Sequence, residues 1–252
     1  MPCYELMPVL QNCLPHGGDG FAFVIQAGSS SALGGHAENL GYGGMLNSLA
    51  VEFDTWYNYN LNDYFEHHVA IQTGGLKANN PTHNSVYKIA HAVDGPVFTD
   101  GFAHTCRIRY DPIIQSAHLR DAALSAGSAV WGMLNNGSGV MQIFIDDFHR
   151  PLLVAPVKLD SIISLENNTF AYVGITASTG TSHQSVDIRS FRYRDVCPQD
   201  CNHVGACQRG VCTCELAFSG TSCEHFGRVK TPSTPVVSGG GAAAVQSSIL
   251  PS

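Results

Sequence analysis

Six of the nine cysteines fall inside the 27 residues from Cys197 to Cys223. A stretch that short cannot bury a core of its own, so metal or disulfides must hold it. Zinc sites want paired C-x2-C ligands. Here the gaps are three, five, four, one and eight residues, and no C-x2-C occurs. The cysteines therefore read as a disulfide framework, which places the chain in an oxidising compartment. N-x-S/T sequons at Asn136 and Asn167 agree with a secreted or cell-surface glycoprotein.

The rest of the chain constrains itself by alternation. Short runs with period two recur from Phe21 to Tyr193: GFAFVIQ (20–26), LAVEFDTW (49–56), HVAIQT (68–73), CRIRY (106–110), VMQIFID (140–146), AYVGITAS (171–178) and VDIRSFRY (186–193). Turn residues bound each run, the pattern of half-buried antiparallel strands. With 26 glycines, 12 prolines and only 13% charged residues, the composition favours sheet over helix bundle. The one plausible helix is 116–130. The expected fold is all-β, a sandwich or jelly roll. The net charge of −7, with basic residues scattered singly, argues against nucleic acid or an anionic membrane as partner. No apolar run reaches the ~18 residues of a membrane span.

Residues 1–15 stay unassigned. They show no basic segment followed by a long apolar one, so no signal peptide is visible. That and the odd cysteine count lead us to expect the genuine start upstream. Residues 226–252, rich in Gly, Ser, Ala and Pro, read as a disordered tail.

The chemical signal is LAVEFDTWYNYNLNDYFEHHVAIQT. Alternation puts Leu49, Val51 and Phe53 on the core face and Glu52, Asp54 and Trp56 on the other. Two carboxylates one strand repeat apart repel, and a cation between them removes the repulsion. Asn58 continues the row, Asp63 lies in the loop, and His68 opens the next strand, where the hairpin return can bring it opposite Glu52. Oxygen donors from Asp54, Asn58, Asp63 and the Trp56 carbonyl suit Ca²⁺. Glu52 and His68 add a mixed N/O set, more typical of Mn²⁺ or another transition metal. The other histidines show no spacing that marks a site, and no Ser-His-Asp arrangement or phosphate loop stands out.

This spacing, with the run EFDTW, closely resembles the legume lectin (L-type lectin) family over residues 16–195. The resemblance implies a concanavalin-like jelly roll, incomplete at its N-terminus. It implies Glu52, Asp54, Asp63 and His68 as transition-metal ligands. Asp54, the Trp56 carbonyl, Asn58 and Asp63 would bind calcium. The metals would do no chemistry and would shape an adjacent sugar site. In that site Asp19, within HGGDGFAFVIQ, would accept hydrogen bonds from sugar hydroxyls, after a cis Gly18–Asp19 peptide. Trp56 would offer an aromatic face and Asn58 an amide donor. Gly35, within GGHAENLGYGG, would supply the glycine loop, and Thr181 and Ser182 backbone amides. The family habit suggests mannose or glucose as ligand.

Residues 196–225 are similar to an EGF-like domain, carried by the C-x-C-x5-G-x2-C ending with Gly220 before the last cysteine. That resemblance implies the pairs Cys197–Cys207, Cys201–Cys212 and Cys214–Cys223, and a role as spacer or protein-contact module. SFRYRDV lacks the acidic motif of the calcium-binding subclass, so no calcium is assigned there. The expected function is non-catalytic, calcium-dependent glycan binding by an extracellular or cell-surface protein. Two alternatives remain. One is a glycoside hydrolase of the same jelly roll, whose ExDxxE strand needs an acid where this chain has Tyr57. The other is an adhesion or structural fragment that works through the EGF-like module, its sugar site vestigial.

Overall fold

A computed structural model describes residues 17–124, 139–164, 171–194, 197–208 and 211–227. The sequons at Asn136 and Asn167, together with Cys3 and Cys13, lie outside the described residues. The chain divides into two compact units, Met1–Val196 and Cys197–Ser252.

The first unit is a mostly β jelly roll. Its strands are β1 (Gly20–Gln26), β2 (Leu46–Asp54), β3 (His68–Ala78), β4 (Lys88–Ala92), β5 (Cys106–Asp111), β6 (Gly139–Ile145), β7 (Leu153–Val157) and β8 (Tyr172–Ser178). Two helices interrupt them, α1 (Ser116–Leu124) and α2 (Leu159–Ile162). One sheet runs in the order β4-β3-β2-β1-β8 and the other β5-β6-β7. Neighbours pair antiparallel throughout.

The main core is shared between the sheets. Leu49, Val51, Phe53, Val69 and Ile71 from one meet Met141, Ile143, Leu153 and Val157 from the other. Alternation along β2 turns Ala50 to the opposite face, where Ala22, Val24, Leu40, Tyr42 and Met45 close a second cluster. That second cluster matters for function, because Glu52 shares its face with Ala50. Strand β6 is buried along its whole length. Its second face is covered in part by Ala122 of α1, which packs with Val140 and Val154.

One sequence expectation needs correction. Residues 186–193 alternate, yet join no ladder among the described residues. A strand needs a neighbour's free N–H and C=O groups as well as a pattern. Ile188, Phe191 and Tyr193 instead stay largely exposed, with Phe191 stacked on Phe23 at 6.5 Å between ring centroids. The described helix ends at Leu124, while 125–130 of the expected span lie outside the described residues. Strands β4 and β7, five residues each, escape the sequence reading; β7 is buried along its whole length and so shows no alternation.

The second unit is held by Cys197–Cys207, Cys201–Cys212 and Cys214–Cys223. This first–third, second–fourth, fifth–sixth order is consistent with an EGF-like module. Two ribbons, β9 (Gly205–Gln208) with β10 (Val211–Cys214), and β11 (Phe218–Ser219) with β12 (His225–Phe226), frame it. Cystine takes the place of a hydrophobic core: Cys197, Cys201 and Cys223 are all buried. Gly220 adopts φ +102°, where a side chain would be strained.

Candidate metal and sugar site

The site grows from the end of β2. Glu52 and Asp54 share a face by alternation, and both are buried. The β2–β3 register sets Asp54 against His68 and Glu52 against Ala70. His68 is thus opposite Asp54 and diagonal to Glu52, one strand repeat from the expected position. Its Nε2 still lies 3.6 Å from Glu52 Oε1, because diagonal neighbours remain in reach of long side chains.

The 55–67 connection brings the remaining oxygens in. Asp54 Oδ1 accepts the Trp56 amide at 2.7 Å. Asp63 Oδ2 accepts the Asn58 amide, which folds the loop back on itself. Asp63 is buried, and the Asn58 Oδ1 and Asp63 Oδ1 atoms are buried without a hydrogen-bond partner. Trp56 is half-buried.

Asp19 approaches from the start of β1. The Gly18–Asp19 peptide is cis. The Asp19 amide donates to the Ser178 carbonyl at 3.1 Å, and its own carbonyl accepts the Thr55 amide at 3.0 Å. Asp19 is thereby tied to the ends of both β8 and β2. The side chain is 5% exposed, and its Oδ2 has no hydrogen-bond partner. Around it, a Cβ on Gly18 would come within 2.9 Å of Ser182 and 3.4 Å of the Trp56 ring. A Cβ on Gly180 would sit 2.8 Å from Asp19 Oδ2 and 3.2 Å from Ala37. So Asp19, Trp56 and Ser182 meet at Gly18, and Thr181 is exposed in the same turn. Gly35 is further back. Its amide donates to the Gly43 carbonyl at 2.7 Å and it packs on Asn39, whereas Ala37 of the same loop lies, with Asp19, against Gly180.

Three residues escaped the sequence reading. Tyr42, fully buried, donates its hydroxyl to Glu52 Oε2. Gln72 Nε2 donates to Glu52 Oε1 at 3.2 Å. His83 stands with Nε2 2.9 Å from Glu52 Oε1 and Nδ1 3.3 Å from Asp63 Oδ1. Tyr42 and Gln72 had no spacing signal, and His83 sits in a loop whose path no periodicity gives.

Electrostatics at this corner are strained by like charge. Burial raises the Asp54 carboxyl well above its ordinary value, and the Glu52 and Asp63 charges push it further. Burial also raises Asp19, with Glu38 adding to it. For Glu52 burial works upward too, but the His68 and His83 imidazoles overcome it and hold the carboxyl at about 2. Among the described residues, no Lys or Arg is in ion-pair contact with Asp19, Glu52, Asp54 or Asp63. Carboxylates this deeply buried need positive charge or protons. The donor set fits divalent cations: clustered carboxylates, amide oxygens and imidazoles, several with no partner of their own.

The legume lectin domain family model matches residues 8–204. The chain therefore belongs to the legume lectin family, one of metal-binding, non-catalytic carbohydrate-binding proteins. No helix among the described residues is long and apolar enough to cross a membrane.

Proposed function

We propose that this protein binds glycans without catalysis, through Asp19, Trp56, Asn58 and the Gly180–Ser182 turn. Ca²⁺ would be held by Asp54, the Trp56 carbonyl, Asn58 and Asp63, and a transition ion by Glu52, Asp54, Asp63 and His68. The observation that carries this is the convergence of four buried carboxylates, Asp19, Glu52, Asp54 and Asp63, on one strand end with no Lys or Arg paired to them among the described residues. The cations supply the positive charge that fixes these groups. The chain's own residues do the recognition. Asp19 accepts hydrogen bonds from adjacent sugar hydroxyls, the half-buried Trp56 face packs on the apolar side of a pyranose, and the Asn58 amide donates.

Mannose- or glucose-type glycans are the proposed ligands, and Gly35 and Thr181 are proposed to line the site at its edge. The three disulfides support an extracellular or cell-surface location. The EGF-like module is proposed as a spacer or contact for protein partners. Titration calorimetry with mannose and glucose oligosaccharides tests the reading. Binding by the wild type that Asp19→Ala abolishes supports it. Equal binding by both would sink it, and sugar released from a β-glucan would return the hydrolase alternative.

A further inference from the structure

His83 comes from the loop after β3, far from the acidic run. Its backbone amide donates to the Leu61 carbonyl at 2.8 Å, which pins that loop to the turn carrying Asp63. Tyr64 and His68 pack edge-on against the imidazole, with centroids at 5.7 Å and 4.6 Å. The ring is 1% exposed, and both nitrogens face carboxylates.

His68 Nδ1 lies 2.7 Å from the Phe65 carbonyl, an acceptor only, so Nδ1 carries the proton. The other nitrogen, Nε2, is turned toward Glu52 Oε1 and is buried without a hydrogen-bond partner, so in a neutral ring it would present a lone pair there. His83 differs in having a carboxylate at each ring nitrogen. Its Nε2 reaches within 2.9 Å of the same oxygen, yet neither ring nitrogen makes a hydrogen bond. One ring nitrogen from each of the two imidazoles and one carboxylate oxygen lie within 4.8 Å of one another. Asp63, at Nδ1 of His83, stands where a carboxylate orients a metal-bound imidazole.

We propose that His83 is a direct ligand of the transition-metal site, so that Glu52, His68 and His83 form a two-imidazole set that selects Zn²⁺ over Mn²⁺. The inference rests on the metal-site reading above and deepens it. Imidazole suits zinc, copper and nickel, whereas carboxylate and water suit manganese. A second nitrogen moves the site toward the first group. The alternative role for His83 is an imidazolium paired with Glu52 and Asp63, with no bond to metal.

The test loads the full chain with one equivalent of Cu²⁺ and counts coordinated nitrogens by electron paramagnetic resonance. It is joined to a Zn²⁺/Mn²⁺ competition read by elemental analysis. Two nitrogens in the wild type and one in His83→Ala are expected. Loss of a mere outer-shell partner already costs 10–100-fold in affinity. Zn²⁺ binding by His83→Ala should therefore weaken by at least about tenfold, with retained Ca²⁺ binding showing that the variant is folded. One nitrogen in a metal-loaded wild type overturns the role of His83 and leaves the site standing. Failure of the wild type to take up any of these metals overturns both. The wild-type nitrogen count decides the question even if both His83→Ala and His83→Gln fail to fold.

Discussion

At Asp19 the backbone and the side chain have separate tasks. The amide and carbonyl tie the ends of β8 and β2 together, at 3.1 Å and 3.0 Å, while the buried carboxyl Oδ2 has no hydrogen-bond partner and is left for the proposed ligand. Gly180 makes that possible, since a Cβ there would lie 2.8 Å from Asp19 Oδ2. Gly180→Ala should therefore push the carboxylate aside. Overpacking of this kind costs about 1–3 kcal/mol, which, if it falls on the bound state, reads as about 5- to 140-fold in sugar affinity by calorimetry. Unchanged affinity would remove Gly180 from the account. The acidic row was legible because side chains alternate along a strand, so Glu52 and Asp54 had to share a face. His83 and Gly180 were not, because a loop carries no period that forecasts which atoms it will bring together.

Strand pairing explains what the pattern showed and what it hid. Strands β1, β2 and β3 stand out because one face carries the large apolar side chains of the intersheet core and the other carries small or polar ones, although much of both faces is buried. Ile71, fully buried at the centre of β3, should cost about 2–5 kcal/mol when truncated to Ala, measured as a fall in denaturation midpoint. Strand β6 is buried on both faces, so its alternation carries no information about exposure. Residues 186–193 carry the pattern without a ladder, since pairing depends on a distant neighbour that local sequence does not encode.

Next to β5 and β6, His104 bridges Asp146 Oδ2 at 2.7 Å and Asp100 Oδ1 at 3.1 Å. Burial lowers the His104 imidazole, but the two carboxylates overcome it and raise it above its ordinary 6.5. A raised histidine stabilises the fold fully below its unfolded value and loses that contribution as pH rises through the folded one. Thermal stability should fall from pH 6 towards pH 8, and His104→Asn should flatten that slope. An identical slope in the variant would contradict the assignment. The effect is small, since Asp146 is 47% exposed and solvent screens the pair.

Over the whole chain, two units rely on different sources of order. The jelly roll is held by burial between sheets, and the small unit by cross-links. The Cys214–Cys223 bridge closes a loop of separation 9, worth about 2–3 kcal/mol in chain entropy. Replacing both cysteines by Ser should open the second unit to protease while the sugar affinity of the first is kept. Loss of sugar binding in that variant would show that the units are not independent. Cysteine order made the second unit readable from sequence, because so few residues leave covalent bonds as the main source of stability.

On the proposed function, divalent cations organise a sugar site at the end of β2. The direct measurement is a glycan panel run with Ca²⁺ and a transition metal, then after chelation, then after metal is restored. The account predicts binding that chelation abolishes, that added Ca²⁺ and transition metal recover, and that Asp54→Ala lacks throughout. Binding that persists in full after chelation, with the metals shown to be gone, would contradict it.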